Sequence, residues 1–67
     1  MSVAKNIEIT SGSPESFEKA ITNGLERAAK TTKNIQRAWV KDMYVQTDDA
    51  KITDYRVHLI LTFLLDE

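Results

Sequence analysis

The stretch YRVHLILTFLL at residues 55–65 decides the fold. Tyr55, Val57, Leu59, Leu61, Phe63 and Leu65 put an apolar side chain at every odd position, which is the period-two pattern of a strand with one face buried. That face needs a partner layer, and a helix is the natural one. The even positions carry Arg56, His58 and Thr62 together with Ile60 and Leu64. Such a face is too apolar to stand wholly in water, and neighbouring copies of the chain are expected to cover part of it.

Working upstream, Asp48-Asp49-Ala50 supplies turn chemistry, and before it residues 35–47 are rich in Val, Trp, Tyr and Thr. The spacing predicts a second strand whose imperfect alternation calls for a bulge. Further upstream, Phe17, Ala20, Ile21, Gly24, Leu25, Ala28 and Ala29 recur at three- and four-residue spacing, the apolar stripe of an amphipathic helix. Ser13 is the expected N-cap, with Pro14 at the first helical position and Glu15 complementing the helix dipole. The helix is expected to fade near Thr31-Thr32. Gly24 costs about 1 kcal/mol relative to alanine inside a helix, so its place on the apolar stripe points to close approach to a sheet.

At the front of the chain, Ile7 and Ile9 alternate with Asn6 and Glu8, predicting a half-buried strand over residues 4–10 that ends at Ser11-Gly12. The order is therefore β-α-β-β, an α+β fold with a three-stranded antiparallel sheet packed on one helix. A helical crossover makes the first two strands parallel to each other, and the hairpin makes the last two antiparallel. The third strand then lies between the others. Both flanking strands are left as edges, which natural proteins cover, charge or pair with another copy.

The length of 67 residues corresponds to one domain, 1–67, with too little core for a two-lobed enzyme cleft. Cysteine is absent, so neither disulfides nor thiolate metal sites reinforce so small a core, and association with other copies is the remaining route. Nine basic residues against ten acidic ones give a net charge of −1 with the signs mixed, unlike a nucleic-acid footprint. No apolar run approaches a membrane span, and MSVAKNIEIT lacks the features of a secretory signal, so a cytoplasmic location is expected.

Without cysteine and with His58 as the sole imidazole, no nucleophilic constellation is present and no catalytic residue is assigned. A lone strand histidine is ordinarily structural. The carboxylates Asp48, Asp49, Asp54, Asp66 and Glu67 match no cation loop, and turn chemistry and solubility account for them, so no metal ligand is assigned. Trp39, the single tryptophan, has two readings: a stacking platform for a flat ligand, or an anchor at a protein interface. Arg37 lies two residues earlier and shares its strand face.

The segments SGSPESFEKAITNGLERAAKT (11–31), NIQRAWVKDMYV (34–45) and KITDYRVHLILTFLL (51–65) together resemble the dodecin family over nearly the whole chain. The resemblance implies a β-α-β-β protomer in a hollow homododecamer that binds and stores flavins such as FMN or riboflavin without turnover. Some relatives are described as binding coenzyme A, and others ions. In flavin-binding members a second-strand tryptophan stacks on the flavin, and a glutamine near the start of the third strand bonds its pyrimidine edge. Arg37 and Arg56 stand at those two places here, with Trp39 two residues beyond the first. The resemblance therefore points to Arg37, Trp39 and Arg56 around an altered pocket, for a flavin or an anion. Its alternative is an assembly that holds anions or metal ions at symmetry axes, or that is purely structural.

Overall fold

The computed structural model describes residues 3–65, in the order β1 (Ala4–Ser13), α1 (Phe17–Ala29), β2 (Ile35–Asp48) and β3 (Lys51–Leu64). The sheet order is β1-β3-β2, and β3 is antiparallel to both neighbours. β3 holds the centre because Val57, Leu59 and Leu61 on its odd face are fully buried, and with Ala20 of the helix they form the core. Ile7 and Ile9 from β1, Ile21, Leu25 and Ala28 from α1, and Ala38 and Val40 from β2 close around them. Ala29, at the end of the helical stripe, is exposed instead, and Leu65 lies beyond the last strand residue.

Gly24 is where the helix meets the sheet. A Cβ built there would lie 3.0 Å from Ser11 Cβ and 3.3 Å from both Ile9 Cδ1 and Leu59 Cδ1, so the missing side chain sets the spacing of the layers. Beyond the last helical turn, the Thr31 and Thr32 amides donate to the Ala28 carbonyl at 3.1 and 2.9 Å, and the helix fades where the β-branched pair predicts.

The helix begins later than its sequence suggests. Ser16, not Ser13, is the N-cap, its hydroxyl accepting the Lys19 amide at 3.0 Å. Ser13 remains in β1, paired with Tyr55, and its Oγ accepts the Glu15 amide in a two-residue turn instead. Sheet pairing with β3 outcompetes the local cap, and so β1 runs through Gly12 rather than stopping there.

β1 pairs with β3 without interruption, whereas β2 is broken into blocks. Gln36 and Lys41 are extra residues against β3, and the stretch from Arg37 to Val40 between them is in register with Thr62 to Leu59. A bulge shifts which residues share a face. Across Lys41 the outward positions pass from odd to even, so Trp39 (opposite Ile60), Asp42 (opposite His58) and Tyr44 (opposite Arg56) all lie on one face. The hairpin closes on Asp49 and Ala50, both with positive φ (50° and 64°), as a two-residue primed turn requires.

One helix covers only part of this sheet. It packs mainly on β1 and β3, and every residue from 41 to 50 is exposed, including Met43 and Val45 on the helix side. The extents are 51 × 19 × 13 Å with a radius of gyration of 13.7 Å, against about 11 Å for a compact chain of this length. The accessible surface, 4962 Å², likewise exceeds the roughly 4,300 Å² of a compact monomer of equal mass. The hairpin tip is an arm with no core of its own.

Candidate functional site

The helix-free face of the sheet is where the candidate residues lie. Cross-strand neighbours share a face, so its rows read directly from the pairing: Asn6–Thr62–Arg37, Glu8–Ile60–Trp39, Thr10–His58–Asp42 and Gly12–Arg56–Tyr44. Three polar networks cross these rows. Arg37 Nε donates to Thr62 Oγ1 at 3.4 Å, and the Thr62 hydroxyl donates to Asn6 Oδ1 at 2.7 Å. Glu8 Oε2 receives Lys41 Nζ at 3.6 Å and also contacts His58 Nε2. Arg56 Nη1 pairs with Asp54 Oδ2 at 3.2 Å, two residues away on the same strand and face.

Arg56 is the most constrained of these groups. Hydrogen bonding to Asp54, then to Tyr44, raises its pKa further above an already high ordinary value, so its charge is permanent. Its Nε is buried without a hydrogen-bond partner among the described residues. Gly12, directly opposite, leaves the room that the guanidinium fills.

Trp39 is 56% exposed and stands beside half-buried Ile60, giving an apolar step between the Arg37 and Glu8 networks. Arg37 and Trp39 are thus neighbours on one face, as their spacing predicts. Arg56 is six positions along β3 from Thr62, the partner of Arg37, which places it about 20 Å away. Within one protomer the two arginines do not share a pocket. Clefts among the described residues flank the helix instead, one between α1 and β1 beside Gly24 and Thr10, another between residues 31–34 and the end of β3.

This protomer, with one helix on a sheet of order β1-β3-β2 and a protruding hairpin, matches the dodecin family profile over residues 3–66. The chain belongs to the dodecin family. Among solved structures, dodecin from Streptomyces davaonensis superimposes with a TM-score of 0.93 at 32% identity, covering 98% of this chain and 97% of its own. An arginine-to-alanine variant of Thermus thermophilus dodecin gives 0.94 at 33% identity, with both chains fully covered. Calcium dodecin from Mycobacterium tuberculosis, described as a calcium-chelating antigen with a novel calcium-binding site, gives 0.84 at 32% identity over 97% of this chain and 93% of its own. A search of curated protein sequences finds no match.

In this dodecin protomer several face residues escape a reading by simple alternation. Tyr44 falls on the opposite parity from Trp39, and only the extra residue Lys41 brings the two to one face. Lys41 and His58 converge on Glu8 from the two other strands, a contact that joins residues 33 and 50 positions apart in the chain. Asp66 and Glu67 lie outside the described residues. Among the described residues no group of three or more His, Asp or Glu side chains is placed to hold a metal ion, and no helix is long and apolar enough to cross a membrane.

Proposed function

We propose that the chain, a single domain spanning residues 1–67, is a non-enzymatic small-molecule binding and storage protein that works in the cytoplasm as a homododecamer. Its ligand is a flavin, FMN or riboflavin, held on the helix-free face. The observation that carries this reading is Trp39, a half-exposed indole beside Ile60 and Arg37 on a strand face that the helix leaves uncovered among the described residues. A flat aromatic ring gains stacking and apolar contact there. Arg56, at the far end of the same face, reaches such a ligand only from another copy. The two open edges, the exposed arm and the excess of accessible surface support assembly.

Two measurements test it. Sedimentation at neutral pH is expected to give a particle of twelve times the 7.6 kDa chain mass, and a folded monomer persisting at micromolar dilution rejects the assembly. Titration of riboflavin and FMN is expected to quench both the flavin and the Trp39 fluorescence. A second reading, in which the assembly holds ions rather than flavin, is favoured by the calcium-binding relative at 32% identity. Because the described residues of one protomer gather no metal cluster, such a site takes its ligands from several copies around a symmetry axis. Absence of quenching by either flavin, with calcium raising the melting temperature, selects that second reading.

A further inference from the structure

Of the two arginines on the helix-free face, one has its charge answered among the described residues and the other does not. Arg56 is held by Asp54 at 3.2 Å and bounded by Gly12 and Tyr44. Arg37 spends only its Nε on the Thr62 hydroxyl, which Asn6 anchors in turn. Its two terminal nitrogens carry no partner among the described residues, and no carboxylate among them lies within ion-pair distance. Glu8 stands two strands across and one row down, already engaged by Lys41 and His58. The result is an oriented guanidinium with its fork free, the geometry that suits a carboxylate or phosphate.

Trp39 lies next to it on the same face. Two residues along a strand span about 6.8 Å, so a ring stacked on the indole brings a substituent on its rim within reach of the guanidinium. The bulges at Gln36 and Lys41 bracket this pair, and the in-register stretch between them keeps both side chains on one side. We propose that Arg37, rather than Arg56, sets the ligand class of this face, selecting flat aromatic molecules that carry a phosphate or carboxylate over neutral rings of the same shape. This rests on the face being the ligand-binding surface. A neutral ring gains stacking alone, whereas an anionic one adds a charge-assisted hydrogen bond of about 1.5–3 kcal/mol, equivalent to roughly 10- to 150-fold in affinity.

The test uses the assembled protein and two ligand pairs in which one member carries an anionic group that the other lacks: FMN against riboflavin, and 2-naphthoate against its neutral amide. Trp39 is the single tryptophan, so quenching of intrinsic fluorescence reports the flavins, and calorimetry reports the naphthalenes. The anionic member of each pair is expected to bind at least about tenfold tighter at low salt, the gap closing at about 1 M salt, where screening acts within about 3 Å. Arg37→Gln is expected to abolish the gap and Arg37→Lys to keep part of it, while the FMN-over-riboflavin ratio survives Arg56→Gln even where both affinities fall. Circular dichroism and sedimentation confirm that each variant still assembles. Equal affinities within each pair overturn the proposal while leaving flavin binding intact, as does a gap that persists in Arg37→Gln or vanishes in Arg56→Gln. If neither flavin binds but 2-naphthoate exceeds its amide through Arg37, the flavin reading falls and the charge selectivity stands. No binding by any of the four rejects both.

Discussion

The Arg56 guanidinium occupies the space that a side chain at Gly12 would need. A Cβ at Gly12 would stand 2.5 Å from Arg56 Nη1 and 2.8 Å from Asp54 Oδ2. Gly12 has no positive φ, so space rather than backbone conformation excludes alanine. The atoms in the way are the ends of flexible side chains, and they yield at the low end of overpacking costs, about 1 kcal/mol. Gly12→Ala is therefore expected to lower the urea midpoint slightly and to displace the Arg56–Asp54 pair. An unchanged midpoint shows that the guanidinium has room to move aside freely.

Gly24→Ala is expected to cost more. Its obstacles are Ser11 Cβ at 3.0 Å, fixed to the β1 backbone, and the packed Ile9 and Leu59 methyl groups at 3.3 Å. Alanine recovers about 1 kcal/mol of helix propensity, but wedging α1 off the sheet against atoms that cannot swing aside costs about 3 kcal/mol, the high end of overpacking, and leaves a net loss of about 2 kcal/mol. Thermal melts should rank the two variants with Gly24→Ala the less stable. A melting temperature above that of the parent shows that the helix and sheet are not in close contact here.

The capping role of Ser16 is tested by the same kind of experiment. Removing the Ser16 hydroxyl leaves the Lys19 amide at the helix start without its acceptor. Ser16→Ala is expected to lose about 1 kcal/mol, read as a shift in the denaturation midpoint. The loss should be largely recovered by Ser16→Asp, because an aspartate caps equally well at the positive end of the dipole. Failure of the aspartate to rescue points to packing of the serine rather than capping.

Ala50 offers a gain instead of a loss. It holds φ at 64°, a conformation that costs a non-glycine residue about 1 kcal/mol, in a turn where glycine is the favoured second residue. Ala50→Gly gives back part of that through the greater freedom of the unfolded chain, and a net stabilisation of about 0.5 kcal/mol is expected. Since residues 41–50 lie clear of the core, a larger change shows that the arm makes contacts beyond those of its own protomer.

The sequence was most legible where structure is local. The odd positions of β3 and the helical stripe around Ala20 and Gly24 declare the core, because burial on one face leaves a fixed period in the chain. The helix start was not legible in the same way. Ser13-Pro14-Glu15 has the local chemistry of a cap, and only pairing of Ser13 with Tyr55, 42 residues away, keeps it in the strand. The site divides likewise. That Arg37 and Trp39 share a face follows from their spacing, whereas Asp54, read in the sequence as turn chemistry, proves to be the partner of Arg56 two residues along the same face. Tyr44 escapes because parity fails at a bulge whose position the composition does not mark, and the convergence of Lys41 and His58 on Glu8 needs the register of all three strands.

The extra residue at Lys41 also governs how this strand tolerates changes in length. Deleting Lys41 leaves Val40 and Asp42 adjacent, already on opposite faces, so every other β2 side chain keeps its side of the sheet. Gln36 has the same property at the start of the strand. Deleting Ala38 makes Arg37 and Trp39 consecutive and forces one of them into the helix layer. Gaps between related chains therefore belong at positions 36 and 41, and an alignment that opens one inside 37–40 pairs residues from opposite sides of the wall.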